Sequence, residues 1–245
     1  MLTETEQEAL FSLAVMEDIN GHKKSSLNHL DQLIEQVPDN ALFIQRRASV
    51  LSGMGRWDEA IDNYKNAIRL APDHAEIYLS MGANLTWKLF ESGDASILGN
   101  NPIFIKIIGY YQECIRRDPL TTGAWLNSIE TNLFMFQWDD AISYYGMCKA
   151  YMSAIEDKLT LEWLGALATV LAGDALDEGE FSTLYNTGIK LEPGNYDIRQ
   201  VNLVLKGLGL QKYYPQRLTY AKEIHQTYLD HFLDTTSKRS LYVSQ

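Results

Sequence analysis

The sequence predicts an all-α fold in which helix hairpins stack one after another into a solenoid. Apolar residues between Ala41 and Asp73 recur at helical spacing in two blocks that glycines separate. Equivalent residues recur 34 positions apart in several parts of the chain. Each predicted hairpin also carries an apolar face that it cannot bury alone, so stacking of neighbouring hairpins has to supply the core.

The segment from Ala41 to Asp73 is the clearest hairpin. It predicts one helix at Ala41–Met54 and a second at Trp57–Ala71. Gly53 and Gly55 provide the turn, because glycine tolerates the backbone angles of a tight connection. Pro72 ends the second helix, because the residue before a proline is driven out of helical geometry.

Seven residues of this segment occur in the order and spacing of a known repeat: Ala48, Gly55, Trp57, Ala60, Tyr64, Ala67 and Pro72. The segment thereby resembles the tetratricopeptide repeat (TPR) family. The resemblance implies an all-α, right-handed α-solenoid of about six TPR-like hairpins, or about twelve helices, with a C-terminal capping helix. Small residues would let helices approach closely, and Trp57 and Tyr64 would fill the space between repeats.

The spacing divides the chain into six predicted repeats. In the first, Lys23 and Ser26 stand where Trp57 and Ala60 stand in the second, as expected of an atypical terminal repeat. Ser25 or Ser26 is expected to cap its second helix. The repeats span residues 6–40, 41–73, 74–120, 121–156, 158–194 and 195–232, which predicts a single solenoid domain at 1–234 and a polar tail at 235–245.

The third repeat contains an insertion within residues 88–101. Its later residues Phe104, Tyr111, Cys114 and Pro119 lie 47 positions after Trp57, Tyr64, Ala67 and Pro72. Because 47 exceeds 34 by 13, about thirteen residues are added. Asn100 or Asn101 is expected to cap the following helix, and Pro102 suits its first turn.

The later repeats are less regular. Ser153 replaces the terminal proline of the fourth, so its second helix is expected to continue to Glu156. Gly173 and Asp174 begin the turn of the fifth repeat. Its second helix is assigned to Phe181, Tyr185, Gly188 and Leu191. The last repeat is read as a helix over Asn195–Leu208, with Asn195 as its cap, and a capping helix at Pro215–Phe232.

Composition argues against several classes of partner. The chain has 21 Lys and Arg against 32 Asp and Glu, a net charge of −11, which opposes binding to nucleic acid or anionic membranes. The N-terminus lacks the pattern of a signal peptide, and no apolar run reaches the ~18 residues that span a bilayer. We therefore expect a cytoplasmic protein without membrane insertion.

The sequence shows no catalytic constellation. The five histidines are scattered, and HExxH, metal-spaced CxxC and GxSxG motifs do not occur. Cys114 and Cys148 lie 34 positions apart, where Ala67 stands earlier, which favours small-residue packing over a disulfide or redox pair. We expect a protein that is not an enzyme, with no catalytic residue, cofactor or metal site.

In the TPR family the first helix of each hairpin lines a concave groove that holds extended or helical peptides. The resemblance therefore implies a groove for an apolar or amphipathic segment of a protein partner. Trp87, Leu126 and Phe134 would be its anchors. The candidate groove residues are Arg46, Leu79, Ala83, Trp87, Leu126, Asn127, Glu130 and Phe134.

Trp87, Leu126, Leu133 and Phe134 would form an apolar cluster that needs a cover. Three covers are possible: the insertion itself, through Ile97 and Leu98, a partner peptide, or a second copy of the chain. The main hypothesis is accordingly a protein-binding scaffold of unknown partner. The alternatives are a self-associating structural subunit that uses Pro215–Phe232, and a small-ligand or enzymatic site under the insertion.

Overall fold

The computed structural model describes residues 2–176, 199–211 and 213–230. These ranges contain eleven α-helices, two short 3₁₀ turns and no strand, which confirms the all-α prediction. The 3₁₀ turns lie at Ala95–Ile97 and Lys149–Tyr151. The helices are α1 Glu4–Ile19, α2 Lys23–Gln36, α3 Ala41–Ser52, α4 Trp57–Leu70, α5 Ala75–Phe90, α6 Pro102–Arg117, α7 Thr122–Phe134, α8 Trp138–Cys148, α9 Ile155–Ala172, α10 Arg199–Leu210 and α11 Pro215–Leu229.

The chain divides into two compact units. The first contains the described residues of Met1–Glu91 and Gly109–Asp118, and the second those of Ser92–Ile108 and Pro119–Gln245. The boundary falls inside α6. The expectation of one domain over residues 1–234 stays a prediction, as do its repeat boundaries.

In the first unit, each of the helices α1 to α5 packs against the next in the chain. Helices α1, α3 and α5 also contact one another in order, so the first helices of the hairpins form one layer. The small residues Ala48, Ala60 and Ala67 are fully buried, and Tyr64 fills the space beside them. Close approach of helices at small residues is therefore the packing rule of this unit.

Two turn predictions in this unit have different outcomes. Gly55 adopts a φ of 73°, a left-handed conformation that glycine reaches without strain, as the hairpin requires. The predicted cap of the second helix is wrong, because α2 already begins at Lys23 and Ser26 is buried within it. The Ser26 N–H bonds the carbonyl of His22 at 3.1 Å, so Ser26 is part of the first helical turn.

The insertion leads into α6 as predicted. The Asn101 Oδ1 accepts the N–H of Ile103 at 3.2 Å, which identifies Asn101 as the cap, and the helix starts at Pro102. Upstream, Asp94 accepts the N–H of Ser96 at 2.8 Å and caps the Ala95–Ile97 turn. The insertion is thus a short ordered structure.

In the second unit, helices α7, α8 and α9 pack consecutively, and α7 also contacts α9. Helix α8 ends at Cys148, so the expected continuation to Glu156 is wrong. The Lys149–Tyr151 turn tightens the chain, and Met152 then leaves helical geometry with φ −82° and ψ 113°. Because Met152 is buried there, packing supplies the stop that a proline supplies in the second repeat.

The last described helix confirms the predicted capping helix. Helix α11 packs on α9, where Tyr228 and Trp163 stack with ring centroids 4.1 Å apart. The hydroxyls of Tyr228 and Thr160 lie 2.9 Å apart. Several predicted positions lie outside the described residues: Phe181, Tyr185, Gly188, Leu191, Asn195, Phe232 and the tail 235–245.

Replacement of Gly82 by Ala tests the packing rule of the first unit. A Cβ at Gly82 would lie 2.4 Å from Cε1 of Tyr111, a buried side chain. We expect Gly82→Ala to lower the free energy of unfolding by about 1–3 kcal/mol, because the ring has to move. Chemical denaturation measures the change.

Gly109 of α6 is the matched control, because an added Cβ there meets no described atom within 4 Å. Gly109→Ala should raise the free energy of unfolding by up to about 1 kcal/mol through helix propensity alone. Stabilisation by both substitutions would contradict the close approach at Gly82.

His225 of α11 should make stability depend on pH. Its side chain is 5% exposed, its Nε2–H donates to Oδ1 of Asn202 at 2.8 Å, and its ring stacks on Trp163. Burial lowers the pKa of His225 from 6.5 to about 4. Between these values the unfolded chain binds a proton that the folded chain excludes, so the free energy of unfolding should fall by roughly 3 kcal/mol as the pH drops from 6.5 to 4.

Denaturation at pH 7 and at pH 4.5 checks this contribution. His225→Phe should reduce the loss of stability between the two pH values, whereas His74→Gln, at an exposed position of the first unit, should leave it unchanged. An equal loss in the wild type and in His225→Phe would contradict the assignment.

Candidate functional site

Three of the predicted groove residues share one face of α5 in the first unit. Leu79, Ala83 and Trp87 follow one another at four-residue spacing. Leu79 and Ala83 are half-buried, and 43% of the Trp87 side chain is exposed. This face therefore presents an accessible apolar strip.

The Trp87 ring is held in place from one side. It contacts the Trp57 ring edge to face, with centroids 6.5 Å apart. The next residue, Lys88, forms an ion pair with Asp58 at the start of α4. The Trp57 ring therefore supports one side of the Trp87 ring and leaves the other side accessible.

Arg46 of α3 supplies a polar group in the same unit. Its Nη2 donates to Oδ2 of Asp18 at 2.8 Å, and Lys23 Nζ donates to Oδ1 of the same carboxylate at 2.9 Å. Asp18 thus neutralises part of the local positive charge. The Nε of Arg46 is buried and has no hydrogen-bond acceptor among the described residues.

Tyr64 lies beneath these polar groups. Burial raises the pKa of Tyr64 to about 12, and hydrogen bonds with Ser49 and Ser80 oppose the rise. Its hydroxyl therefore stays protonated and acts as a hydrogen-bonding group between α3 and α5. The hydroxyl therefore joins these two helices within the unit.

The four remaining candidate residues lie on α7, in the second unit, and most of them are covered. Leu126 and Glu130 are 4% exposed and Phe134 is fully buried, while Asn127 is half-buried. The Phe134 ring packs on Phe104 with centroids 5.7 Å apart. These side chains are not accessible to a partner in this conformation, and a groove through all eight residues stays a prediction.

The insertion forms part of the cover, which is the first of the three alternatives. The Gly99 N–H donates to the carbonyl of Phe134 at 2.8 Å and so joins the insertion to the end of α7. Leu98 is buried, and Phe136 lies beside Gly99. Trp87 belongs to the first unit and stays exposed.

Helix α10 also packs against α7, a contact that sequence reasoning missed. It contacts α7 and the Ala95–Ile97 turn, although it follows α7 by more than sixty residues. The buried residues Val201, Val204, Leu205 and Leu208 do repeat at helical spacing. That spacing identifies an apolar face and does not identify the helix on which the face packs.

Both cysteines are buried and no disulfide forms. Burial raises the pKa of Cys148 to about 12, so its side chain is a thiol at neutral pH. The described residues contain no group of three or more His, Cys, Asp or Glu that could hold a metal ion. Within the same residues, no helix combines the length and the apolar character needed to cross a bilayer.

Comparison with known proteins supports the repeat assignment and the helical fold. A family model described as TPR repeat matches residues 53–85. No curated protein sequence matches the chain.

Three solved structures illustrate the shared fold. PilF of Pseudomonas aeruginosa is 13% identical, with a TM-score of 0.60 over 98% of this chain and 93% of its own. TTC0263 of Thermus thermophilus, a TPR protein, is 12% identical, with a TM-score of 0.55 over 91% and 99%. YrrB, a TPR protein with an unusual peptide-binding site, is 12% identical, with a TM-score of 0.52 over 87% and 90%.

The repeat match covers α4 and most of α5, where the close packing of small and aromatic residues is clearest. The structural likeness extends over most of the chain. Together they identify a TPR repeat at residues 53–85 in a chain that shares the fold of solved TPR proteins.

Proposed function

We propose that this protein is a non-catalytic scaffold that binds a peptide segment of a partner on the open face of its first unit. The observation that carries the proposal is the exposed strip of Leu79, Ala83 and Trp87 on α5. A few well-placed aromatic residues supply most of the affinity in many interfaces. Trp87 is the anchor, because it is large, exposed and supported by Trp57.

Arg46 suggests the polar chemistry of the partner. Its side chain is 26% exposed, and its Nη2 already binds Asp18. A carboxylate from the partner would be repelled by Asp18 and by the net charge of −11. The ligand is therefore an apolar segment without a cluster of acidic residues.

The comparisons agree with this type of function. YrrB is a TPR protein described as having a peptide-binding site, and it shares the fold of this chain. The candidate residues of the second unit, Leu126, Asn127, Glu130 and Phe134, receive less support, because three of the four are buried. The cytoplasmic location stays a prediction from the sequence.

Self-association through the C-terminal helix is the weaker alternative. Leu218, Ala221, Ile224 and Tyr228 form the apolar face of α11 and are already buried. Its exposed positions are mostly polar, among them Lys222 and Glu223. Such a surface offers little apolar area to a second copy of the chain.

Trp87→Ala tests the proposal directly. Twelve-residue peptides selected on the wild-type protein from a random display library serve as the probe. We expect Trp87→Ala to weaken their binding by roughly thirtyfold, corresponding to about 2 kcal/mol for one aromatic anchor. Fluorescence anisotropy measures the affinities, and thermal unfolding verifies that the variant is folded.

Leu42→Ala is the matched control, because Leu42 is an exposed apolar residue of the same unit outside the proposed strip. It should bind the selected peptides with wild-type affinity. Wild-type affinity of a folded Trp87→Ala variant would refute the proposed anchor.

A further inference from the structure

Helices α7 and α9 of the second unit are buried along most of their length. From Ala124 to Phe134 every residue of α7 except Asn127 is buried, and from Leu159 to Ala168 every residue of α9 is buried. In contrast, α5 of the first unit leaves a strip accessible. A first helix that lines an open groove keeps one face exposed, so the face of α7 is occupied.

Helix α10 packs on this face of α7, and its buried residues have the spacing of a bound amphipathic peptide. Val201, Val204, Leu205 and Leu208 are buried at positions i, i+3, i+4 and i+7, and Lys206 between them is exposed. The helix lies against α7, the Ala95–Ile97 turn and α11, to which the Asn202–His225 hydrogen bond joins it. Amphipathic helices bound in apolar grooves use this same spacing.

The fit is close where α10 meets the insertion. A Cβ at Gly207 would lie 3.0 Å from Cδ1 of Leu98 and 3.6 Å from Cβ of Ala95. Glycine therefore allows the backbone of α10 to approach the turn. The surface against which α10 packs is a shaped site with a preference for a small residue at this position.

Other features make α10 easier to release than the helices around it. Gly207 and Gly209 lie within it, and glycine is the poorest helix former after proline. Polar side chains are also buried in this region, including Gln200 on α10 and Glu130 on α7. Such groups are well solvated when a surface opens, unlike an entirely apolar core.

We infer that α10 is a displaceable internal ligand, and that the face of α7 together with the Ala95–Ile97 turn is a binding site for an amphipathic helix of a partner. The partner helix carries apolar residues at the spacing of α10 and a glycine or alanine opposite Ala95. This site is separate from the Trp87 strip, so it does not depend on the proposed function of the first unit.

The first experiment weakens α10 in the full-length chain and supplies it again as a peptide. Val204→Asp places a carboxylate at a buried position of α10. The probe is a fluorescent peptide of residues 199–211. We expect Val204→Asp to bind this peptide at least tenfold more tightly than the wild type, whose site is filled by its own α10.

Lys206→Asp is the matched control, because it introduces the same side chain on the exposed side of the same helix. It should bind the peptide no better than the wild type. A peptide that itself carries Val204→Asp should not bind. A folded Val204→Asp variant that binds neither peptide, or both equally, overturns the inference.

Hydrogen exchange on the wild-type protein gives a second test that does not depend on the folding of Val204→Asp. Amides of α10 should exchange at least tenfold faster than those of α9, because α10 opens while α9 stays folded. Equal exchange rates in α10 and α9 would overturn the inference, because α10 would then open only with the whole unit.

A disulfide between the turn and α10 provides the control for this measurement. The Cβ separation of 3.6 Å at Ala95 and Gly207 suits a disulfide. In the variant Ala95→Cys/Gly207→Cys, oxidation should slow exchange in α10 to the rate of α9, and reduction should restore fast exchange. Fast exchange of α10 in the oxidised form would contradict the site of contact.

Discussion

Close contact between a glycine on one helix and a tyrosine on its neighbour is the constraint on which the packing depends. In the first unit the Tyr111 ring occupies the space that a side chain at Gly82 would need. In the second unit Tyr145 lies over Gly165 in the same way. The Tyr145 hydroxyl also donates to the buried carboxylate of Glu162 at 2.6 Å. The ring sets the distance between two helices, and the hydrogen bond fixes their register.

This constraint explains which features could be predicted from the sequence. Small and aromatic residues at fixed spacing act through neighbouring helices, so Ala48, Tyr64 and Gly55 identify a hairpin without any knowledge of the rest of the chain. The cap at Asn101 and the capping helix at Pro215 follow from equally local chemistry. The two incorrect boundaries, at Ser26 and after Cys148, depend on packing partners that local spacing does not reveal.

The state of the candidate site could be predicted only in part, for the same reason. Periodicity places Leu79, Ala83 and Trp87 on one face of α5, and the structure leaves that face accessible. It places Leu126 and Phe134 on α7 by the same rule, yet those residues are buried. The insertion and α10 contribute to the difference through contacts with α7 that join segments far apart in the chain. Hydrophobic spacing shows that a surface needs a cover and contains no information about which segment provides it.

A partner that binds the covered face of α7 would need enough affinity to compete with α10. A helix attached to the same chain competes at an effective concentration of about millimolar when its tether is short and flexible. If the covered state is populated at about 99%, the apparent affinity of a partner falls about a hundredfold below its intrinsic affinity. Only a segment that packs better than α10 would displace it. Because glycines lower the helix propensity of α10, a segment with better helix formers could compete with it. The exposed strip around Trp87 carries no such penalty, so the two faces would select partners by different criteria: the first by contact with an exposed aromatic side chain, and the second by competition with a helix that the protein already contains.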